Sequence, residues 1–452
     1  MKQIIKTSGK CLVLLLVLSI IGFALVAVSY ALPERTILYN ASISTDFLVS
    51  EYTGKDMEWM NWPDFYSDMV MVNVACYSDG ETPLIKRSIN NEKIGYTNEI
   101  SYPFEIVRWL SERTSVEKNW YSYNEANATY EPCSYGKYWN GYLILLRPLL
   151  LYHSIWQIYK IFKIMVSLLF GVALLALLIR DWRFAFPFTL AFFTLRPYSK
   201  FCLTYAIVEI LLCVFLFIAV IDPRLKKVSV KRNLFFFAMG AITLYFTLMG
   251  FSMVIPVFCA VYLAYQTEIK NERYFSRAEM VLEMVFWYCV GYCCMWAMKW
   301  LILALSDSSL LAEVMESIKK RSSHNDYGEE ITLWETLLWN MCGFYYKNNA
   351  LEWSIWTISA VAAAIAVLSI VNKALAVKAK DGIVLAAVLF VTLGRYAVIM
   401  NHSRVHYFFM NRLLSGIVYT LLSIGIISVS RGIKVILEKK KQNDNTPPAV
   451  PG

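Results

Sequence analysis

A chain of 452 residues that is 58% hydrophobic, only 17% charged and of mean hydropathy +0.47 is neither an ordinary soluble domain nor a disordered segment. It reads as an all-α polytopic integral membrane protein. The formal charge of +9 lies largely in short loops between apolar runs, where it sets topology, so it calls for no nucleic-acid partner.

Lys2, Lys6 and Lys10 precede an apolar run from Cys11 to Leu32. This is long for a signal peptide and right for a helix across ~30 Å of hydrocarbon. It is expected to be a retained signal anchor, with cleavage near Ala31 as the alternative. Further spans are expected near 158–179, 184–196, 202–221, 234–250, 252–267, 280–304, 354–371, 383–400 and 413–430, about ten in all. The stretch 184–196 is short and holds Pro187, so it fits a short or re-entrant helix. Keeping it places five basic loops on one side: Arg180/Arg183, Arg224 to Arg232, Lys270/Arg273/Arg277, Lys373/Lys378/Lys380, and the tail from Arg431 to Lys441. The positive-inside rule then puts both termini in the cytoplasm of a multi-pass plasma-membrane protein.

The expected organisation follows: 1–32, N-terminus and first span; 33–157, a large external loop with interfacial helices; 158–304, spans two to seven; 305–353, a second external loop; 354–430, spans eight to ten; 431–452, a basic, disordered tail. In the second loop Ile331, Trp334, Leu337, Leu338 and Met341 recur at helical spacing, predicting an amphipathic helix in the outer interface. The ten cysteines show no C-x-x-C metal spacing. Cys289, Cys293 and Cys294 read as small core residues. Cys76 and Cys133 share the first external loop, where a disulfide is an open alternative.

The residues able to do chemistry cluster towards the expected outer face. In PDFYSD, Asp64 and Asp68 are four apart and share one helix face, as paired carboxylates for base catalysis would; an ordinary acidic helix start gives the same pattern. YGKYWNGYLILLRPLLLYH combines Lys137, Tyr138, Trp139, Asn140, Tyr142, Arg147 and His153 with an apolar face. Aromatic rings suit sugar faces and cations suit phosphate, while snorkelling cations give the same pattern. Lys299 and Arg395 lie near the outer ends of their spans, where an ionisable residue is costly unless paired or used; Glu209 is a candidate partner for either. NHSRVHYFFMNR supplies His402, Arg404, His406 and Arg412, better suited to phosphate or acceptor contact than to a metal. No P-loop, G-x-G-x-x-G or G-x-S-x-G is present, against nucleotide-driven work and serine hydrolysis.

PDFYSDMVMVN, YGKYWNGYLILLRPLLLY, MKW around Lys299 and GRYAVIMNHSRVHYFF, in that order, resemble polytopic membrane glycosyltransferases of the GT-C superfamily, and within it an uncharacterised bacterial group. The resemblance implies a polyprenyl-phosphate-linked sugar as donor, a cell-envelope glycan or glycolipid as acceptor, and membrane lipids as surroundings. It implies Asp64 or Asp68 as catalytic carboxylate, with a divalent cation, magnesium or manganese, as a candidate cofactor and no dedicated protein metal site. It implies Arg147, Lys299, Arg395 or Arg404 on the donor phosphate, and Lys137, Tyr138, Trp139 and His402 at the sugar. One departure stands out: Thr247 occupies the turn between spans five and six where the related group is expected to carry an acid. A transporter or lipid flippase and a non-catalytic envelope assembly protein are the competing classes.

Overall fold

The computed structural model describes residues 2–44, 62–77, 81–95, 131–198, 203–248, 250–269, 273, 275–326, 329–346, 357, 360–361 and 379–444. Regular structure among them is helical apart from two small antiparallel strand pairs. Lys93–Gly95 pairs with Glu131–Cys133, and Asn325–Asp326 with Glu329–Glu330. The helices in chain order are α1 (Lys2–Tyr30), α2 (Glu34–Ser42), α3 (Trp62–Cys76), α4 (Leu84–Asn90), α5 (Leu143–Leu150), α6 (Ile155–Asp181), α7 (Ala185–Phe193), α8 (Leu203–Ile221), α9 (Val230–Phe246), α10 (Val254–Gln266), α11 (Ser276–Ser306), α12 (Ser309–Arg321), α13 (Leu333–Tyr346), α14 (Ala379–Val398), α15 (Met400–Val405), α16 (Tyr407–Met410) and α17 (Ser415–Asp444).

Among the described residues six helical stretches are long and apolar enough to cross a membrane: Thr7–Tyr30, Ile155–Phe193, Leu203–Ile221, Ser276–Ser306, Lys380–Val398 and Tyr407–Glu438. They carry exposed apolar side chains such as Leu12, Ile20, Ile164, Leu168, Phe286 and Phe390, as helices facing lipid would. The expected spans at 158–179 and 184–196 fall in one stretch, α6 and α7, broken at Trp182–Phe184. Pro187 lies in the first turn of α7, and Ser154 with Gln157 forms a capping box at the start of α6. The expected span 354–371 lies almost wholly outside the described residues, as do 45–61 and 96–130 of the first loop.

Helix α10 has only thirteen residues, and Val254 through Ala264 are all buried. A short helix that is apolar all round suits the interior of a bundle, where no face meets lipid. It packs against α8, α11 and α17. Beside it α9 and α11 cross at two glycines. A Cβ on Gly240 would collide with the Tyr288 carbonyl, and one on Gly291 with the Phe237 carbonyl. Small residues at such a crossing let two backbones touch.

Described residues of the basic loops gather at one end of the bundle. There Asp181 accepts hydrogen bonds from Arg183 and Gln266, Asp381 accepts from Tyr265 and Arg431, and Arg277 donates to the Ala264 carbonyl. Helix α1 runs parallel to α11. Ser19 donates to Met295, and further along Tyr30 bonds Asn91 while Lys299 bonds the end of α4. The start of α1 and the late turns of α17 therefore both lie at the basic end. The first-loop helices, α12, α13 and α15 occupy the opposite, loop end.

Cys76 and Cys133 are both free thiols, so the disulfide weighed from the sequence is not formed. Cys76 is buried at the end of α3 while Cys133 sits in a strand against Lys93.

Candidate functional site

The charged residues singled out above divide into two sets at the loop end. The first set binds helix termini. Arg147 is fully buried; its Nε donates to the Ser29 carbonyl at 2.8 Å and its Nη1 to the Ala75 carbonyl. It thus joins the C-terminal ends of α1 and α3. The Tyr30 ring lies 4.9 Å from Arg147 and 4.8 Å from Arg87, which pairs with Glu34 and donates to the Tyr77 carbonyl. Lys299, 1% exposed, donates to the Ile89 carbonyl at 2.8 Å and the Ser88 carbonyl at 3.4 Å, at the end of α4. Helix C-termini leave carbonyls without intrahelical partners and carry partial negative charge, so a buried cation is well held there.

Asp68 does the converse. Leu203 and Thr204, at the start of α8, donate their backbone N–H groups to its two oxygens at 3.0 and 2.9 Å, and the Thr204 hydroxyl donates at 2.9 Å. It is an N-cap supplied from another helix. Burial pushes its carboxyl up to about 6, and the bonds from Thr204, Leu203 and Tyr159 pull the other way. Asp64 lies one turn earlier on α3, and its side chain is outside the described residues.

The second set faces a cavity of about 650 Å³ between α11, α14 and the overlying α12. Lys137, Tyr138 and Arg395 line it, together with Arg321 from the end of α12. The wall on α11 runs from Leu282 to Trp300, about 27 Å of helix at 1.5 Å per residue. The wall on α14 runs from Phe390 to Val398, with Ile399 just beyond the helix. Phe286, 58% exposed, and Phe390, 70% exposed, mark its open flank. Lys137 and Arg321 lie at α12, and Arg395 acts electrostatically on Cys289, Tyr292 and Cys293 of α11.

The YGKYWNGY segment reaches this cavity because α11 pins it. Trp296 and Trp300 both donate to the Lys137 carbonyl, at 3.0 and 3.2 Å, and Trp139 donates to the Met295 carbonyl at 2.8 Å. Gly136 lies against the Ile89 carbonyl and Gly141 against Tyr245, too close for a Cβ. Asn140 takes the left-handed conformation with φ of 55°, which Asn tolerates. Lys137 Nζ lies 5.9 Å and Arg321 Cζ 5.5 Å from the centre of the same Tyr138 ring. Burial, then Arg321 and Lys93, lower the Lys137 ammonium to about 8, with Cys133 and Glu313 acting the other way.

Arg404 stacks on Trp339 at 3.8 Å, and His402 is buried with its ring 4.4 Å from His406. Burial and the nearby Arg321 hold His406 down to about 4, so it is neutral at neutral pH. Asp68, Arg147, Lys299 and Arg404 do not line this cavity.

Among the described residues no three His, Cys, Asp or Glu side chains form a metal-ligand group, and both oxygens of Asp68 already accept hydrogen bonds. No step of the reaction proposed for this chain is assigned to a divalent cation.

Three features were not read from the sequence. Arg321 closes a Lys-Lys-Arg run on α12, a pattern that looks like a solvated helix end. Glu209 faces Arg412 and Arg196 rather than Lys299 or Arg395, and Arg412 stacks 3.7 Å over Tyr205 and 5.4 Å from Phe251. This buried polar group adjoins the cavity through the 251–253 turn, since Ser252 and Met253 line the cavity wall. Cys289 and Cys293 line the cavity as well, and Cys293 is exposed rather than a core residue. No family model, curated protein or solved structure matches the chain.

Proposed function

We propose that this chain is a membrane glycosyltransferase that takes a sugar from a polyprenyl-phosphate-linked donor and passes it to a cell-envelope acceptor on the outer face. The observation that carries this reading is the α11–α14 cavity. It joins a long apolar wall, open to the side, to a head lined by aromatic rings and by Lys137, Arg321 and Arg395. An isoprenoid chain suits the wall, and a phosphate with its sugar suits the head. Arg183, Arg277 and Arg431 lie at the far end, which supports an outward-facing head by the positive-inside rule. The competing transport reading needs a path through the bundle, and the fully buried α10 fills its interior.

In the proposed reaction an acceptor hydroxyl attacks the anomeric carbon of the donor. The new carbon–oxygen bond forms as the bond from that carbon to the phosphate oxygen breaks, and the electron pair leaves on the polyprenyl phosphate. Lys137, Arg321 and Arg395 stabilise that leaving charge. The acceptor proton passes to a carboxylate of α3. Asp68 is committed to capping α8, so Asp64 takes the base role.

The test is sugar transfer from a labelled polyprenyl-phosphate donor by purified protein, with Asp64→Asn and Arg321→Gln as variants. Each is expected to lower transfer by about a hundredfold or more. Transfer equal to wild type in both variants overturns the assignment.

A further inference from the structure

Along α11 the rings of Tyr288, Tyr292, Trp296 and Trp300 follow one another at four-residue intervals, and all line the cavity. Residues at that spacing share one helix face. Each ring carries a polar atom, and most of these atoms are spent on backbone. Trp296 and Trp300 donate to the Lys137 carbonyl, and Tyr288 donates to the Ser252 carbonyl at 3.2 Å. Tyr292 is the exception. It is 8% exposed, and among the described residues its hydroxyl donates to no acceptor. Ser252 lies beside it as a donor, which leaves the phenol O–H itself unspent. A buried polar group in that condition is rare in a folded protein and calls for an explanation.

The surroundings of Tyr292 say what meets that hydroxyl. Arg321 and Arg395 both act electrostatically on it, so an anion drawn to either guanidinium comes within reach of the O–H. Its depth is equally informative. Tyr292 lies one turn, about 6 Å, nearer the basic end than Trp296, which stacks on Tyr138 at 6.4 Å in the outer part of the cavity. Towards the basic end the wall continues through Leu282, Val285 and Phe286. Tyr292 thus stands where the apolar wall gives way to the outer rings, and in a lipid-linked sugar the phosphate stands between tail and sugar. The ring is also fixed in advance. Its centre is 6.0 Å from that of Tyr288 and 6.1 Å from that of Trp296, so little order has to be gained when a ligand arrives.

We infer that Tyr292 is a further ligand-binding residue of the cavity, its hydroxyl donating to a phosphate oxygen of the lipid-linked donor at the depth of Arg395. This rests on the reading of the cavity as a lipid-phosphate site and adds the group that sets how deep the phosphate sits. A hydrogen bond to a charged oxygen is stronger than one between neutral groups. The hydroxyl therefore favours a prenyl phosphate over the corresponding prenyl alcohol, and the sugar is left outward of it, beside Lys137 and Tyr138.

The test measures binding of farnesyl phosphate and of farnesol to the full chain in lipid nanodiscs. Protection of Cys293 from N-ethylmaleimide is a second readout, since Cys293 is exposed and lines the cavity. Tyr292→Phe keeps the ring and removes only the oxygen. It is expected to weaken farnesyl phosphate about tenfold and farnesol by less than about twofold. Its thermal midpoint is expected to hold, because the protein itself does not use the lost donor. Tyr292→Phe combined with Arg395→Gln is expected to lose less than the two single losses together, because both groups meet one phosphate. Unaltered farnesyl phosphate binding in Tyr292→Phe, an equal loss for both ligands, or fully additive losses with Arg395→Gln overturns this inference and leaves the proposed function standing. A midpoint lowered by several degrees does the same, since it shows the hydroxyl spent inside the protein. Wild type that binds farnesyl phosphate no more tightly than farnesol overturns the cavity reading and this inference with it. The selective loss, in a protein that transfers no sugar to any envelope acceptor, upholds this inference and overturns the transferase reading.

Discussion

Two groups of cations at the same end of the bundle have opposite surroundings. Arg147 and Lys299 are sealed, with 0% and 1% exposure, and their donors point at carbonyls that end α1, α3 and α4. Lys137, Arg321 and Arg395 sit on helix ends or loops beside open volume, faced by tyrosine and tryptophan rings. One member of each group, Lys299 and Arg395, lies on a helix able to cross a membrane, where an ionisable residue is costly unless paired or used. The difference is where the charge is answered. A helix C-terminus offers two or more carbonyls and a favourable dipole, which fixes a cation in place. An aromatic face offers a weaker, non-exclusive attraction, which leaves a cation able to meet an incoming anion. Fastening and binding are thus separated by the partner, not by the residue type.

Breaking the sealed set gives the largest effect. Arg147→Ala and Lys299→Ala each remove a buried donor and leave helix-end carbonyls without it, at about 2–4 kcal/mol each. A fall of several degrees in thermal midpoint is expected for each, with lipid-phosphate affinity unchanged in the protein that remains folded. Loss of affinity without loss of stability in either variant would merge the two sets and return these residues to the site.

Asp68 gives a smaller, similar contrast with its neighbour Asp64. Asp68→Ala deletes the cap on α8 and is expected to cost about 1–2 kcal/mol. Asp68→Asn keeps an acceptor oxygen and is expected to lie close to wild type in both stability and transfer. An Asp68→Asn variant with transfer reduced as far as that of Asp64→Asn would show that the carboxylate acts in the proposed reaction and not only on the helix.

Much of the frame is legible in the residues themselves. Runs of apolar letters mark α1, α6, α8, α11, α14 and α17, because crossing hydrocarbon demands length and composition together. The runs 184–196 and 252–267 are marked too, but they fold as the shorter α7 and α10; α10 is stable because its neighbours cover every face. The site is half legible. Lys137, Tyr138 and Arg395 stand out as cations and rings at span ends, and the cavity brings them together. Arg147 and Lys299 stand out equally, yet their partners are backbone carbonyls, which every residue has and no letter announces. Arg321 is hidden for the opposite reason, since a basic run at the end of an amphipathic helix is what a solvated terminus looks like. Its role depends on α12 folding back over α11, a tertiary event.

The mildest perturbation, pH, distinguishes the open set from the sealed one without a mutation. Burial, Arg321 and Lys93 lower the Lys137 ammonium to about 8, against an ordinary value near 10.5. Its charge is present below that point and is lost as pH rises through it. Affinity for a lipid phosphate is therefore expected to be full at pH 7 and to fall roughly threefold to tenfold by pH 9, equivalent to ~1 kcal/mol. Stability responds with the opposite sign. Between about 8 and 10.5 the unfolded chain keeps a proton that the folded chain has released, so this residue's contribution to stability rises with pH in that window. Lys137→Arg keeps the charge throughout and should flatten the binding curve. Titrating farnesyl phosphate binding across pH 6.5 to 9.5 in wild type and Lys137→Arg checks it. A fall of equal size in both proteins would place the titrating group elsewhere and remove Lys137 from the open set.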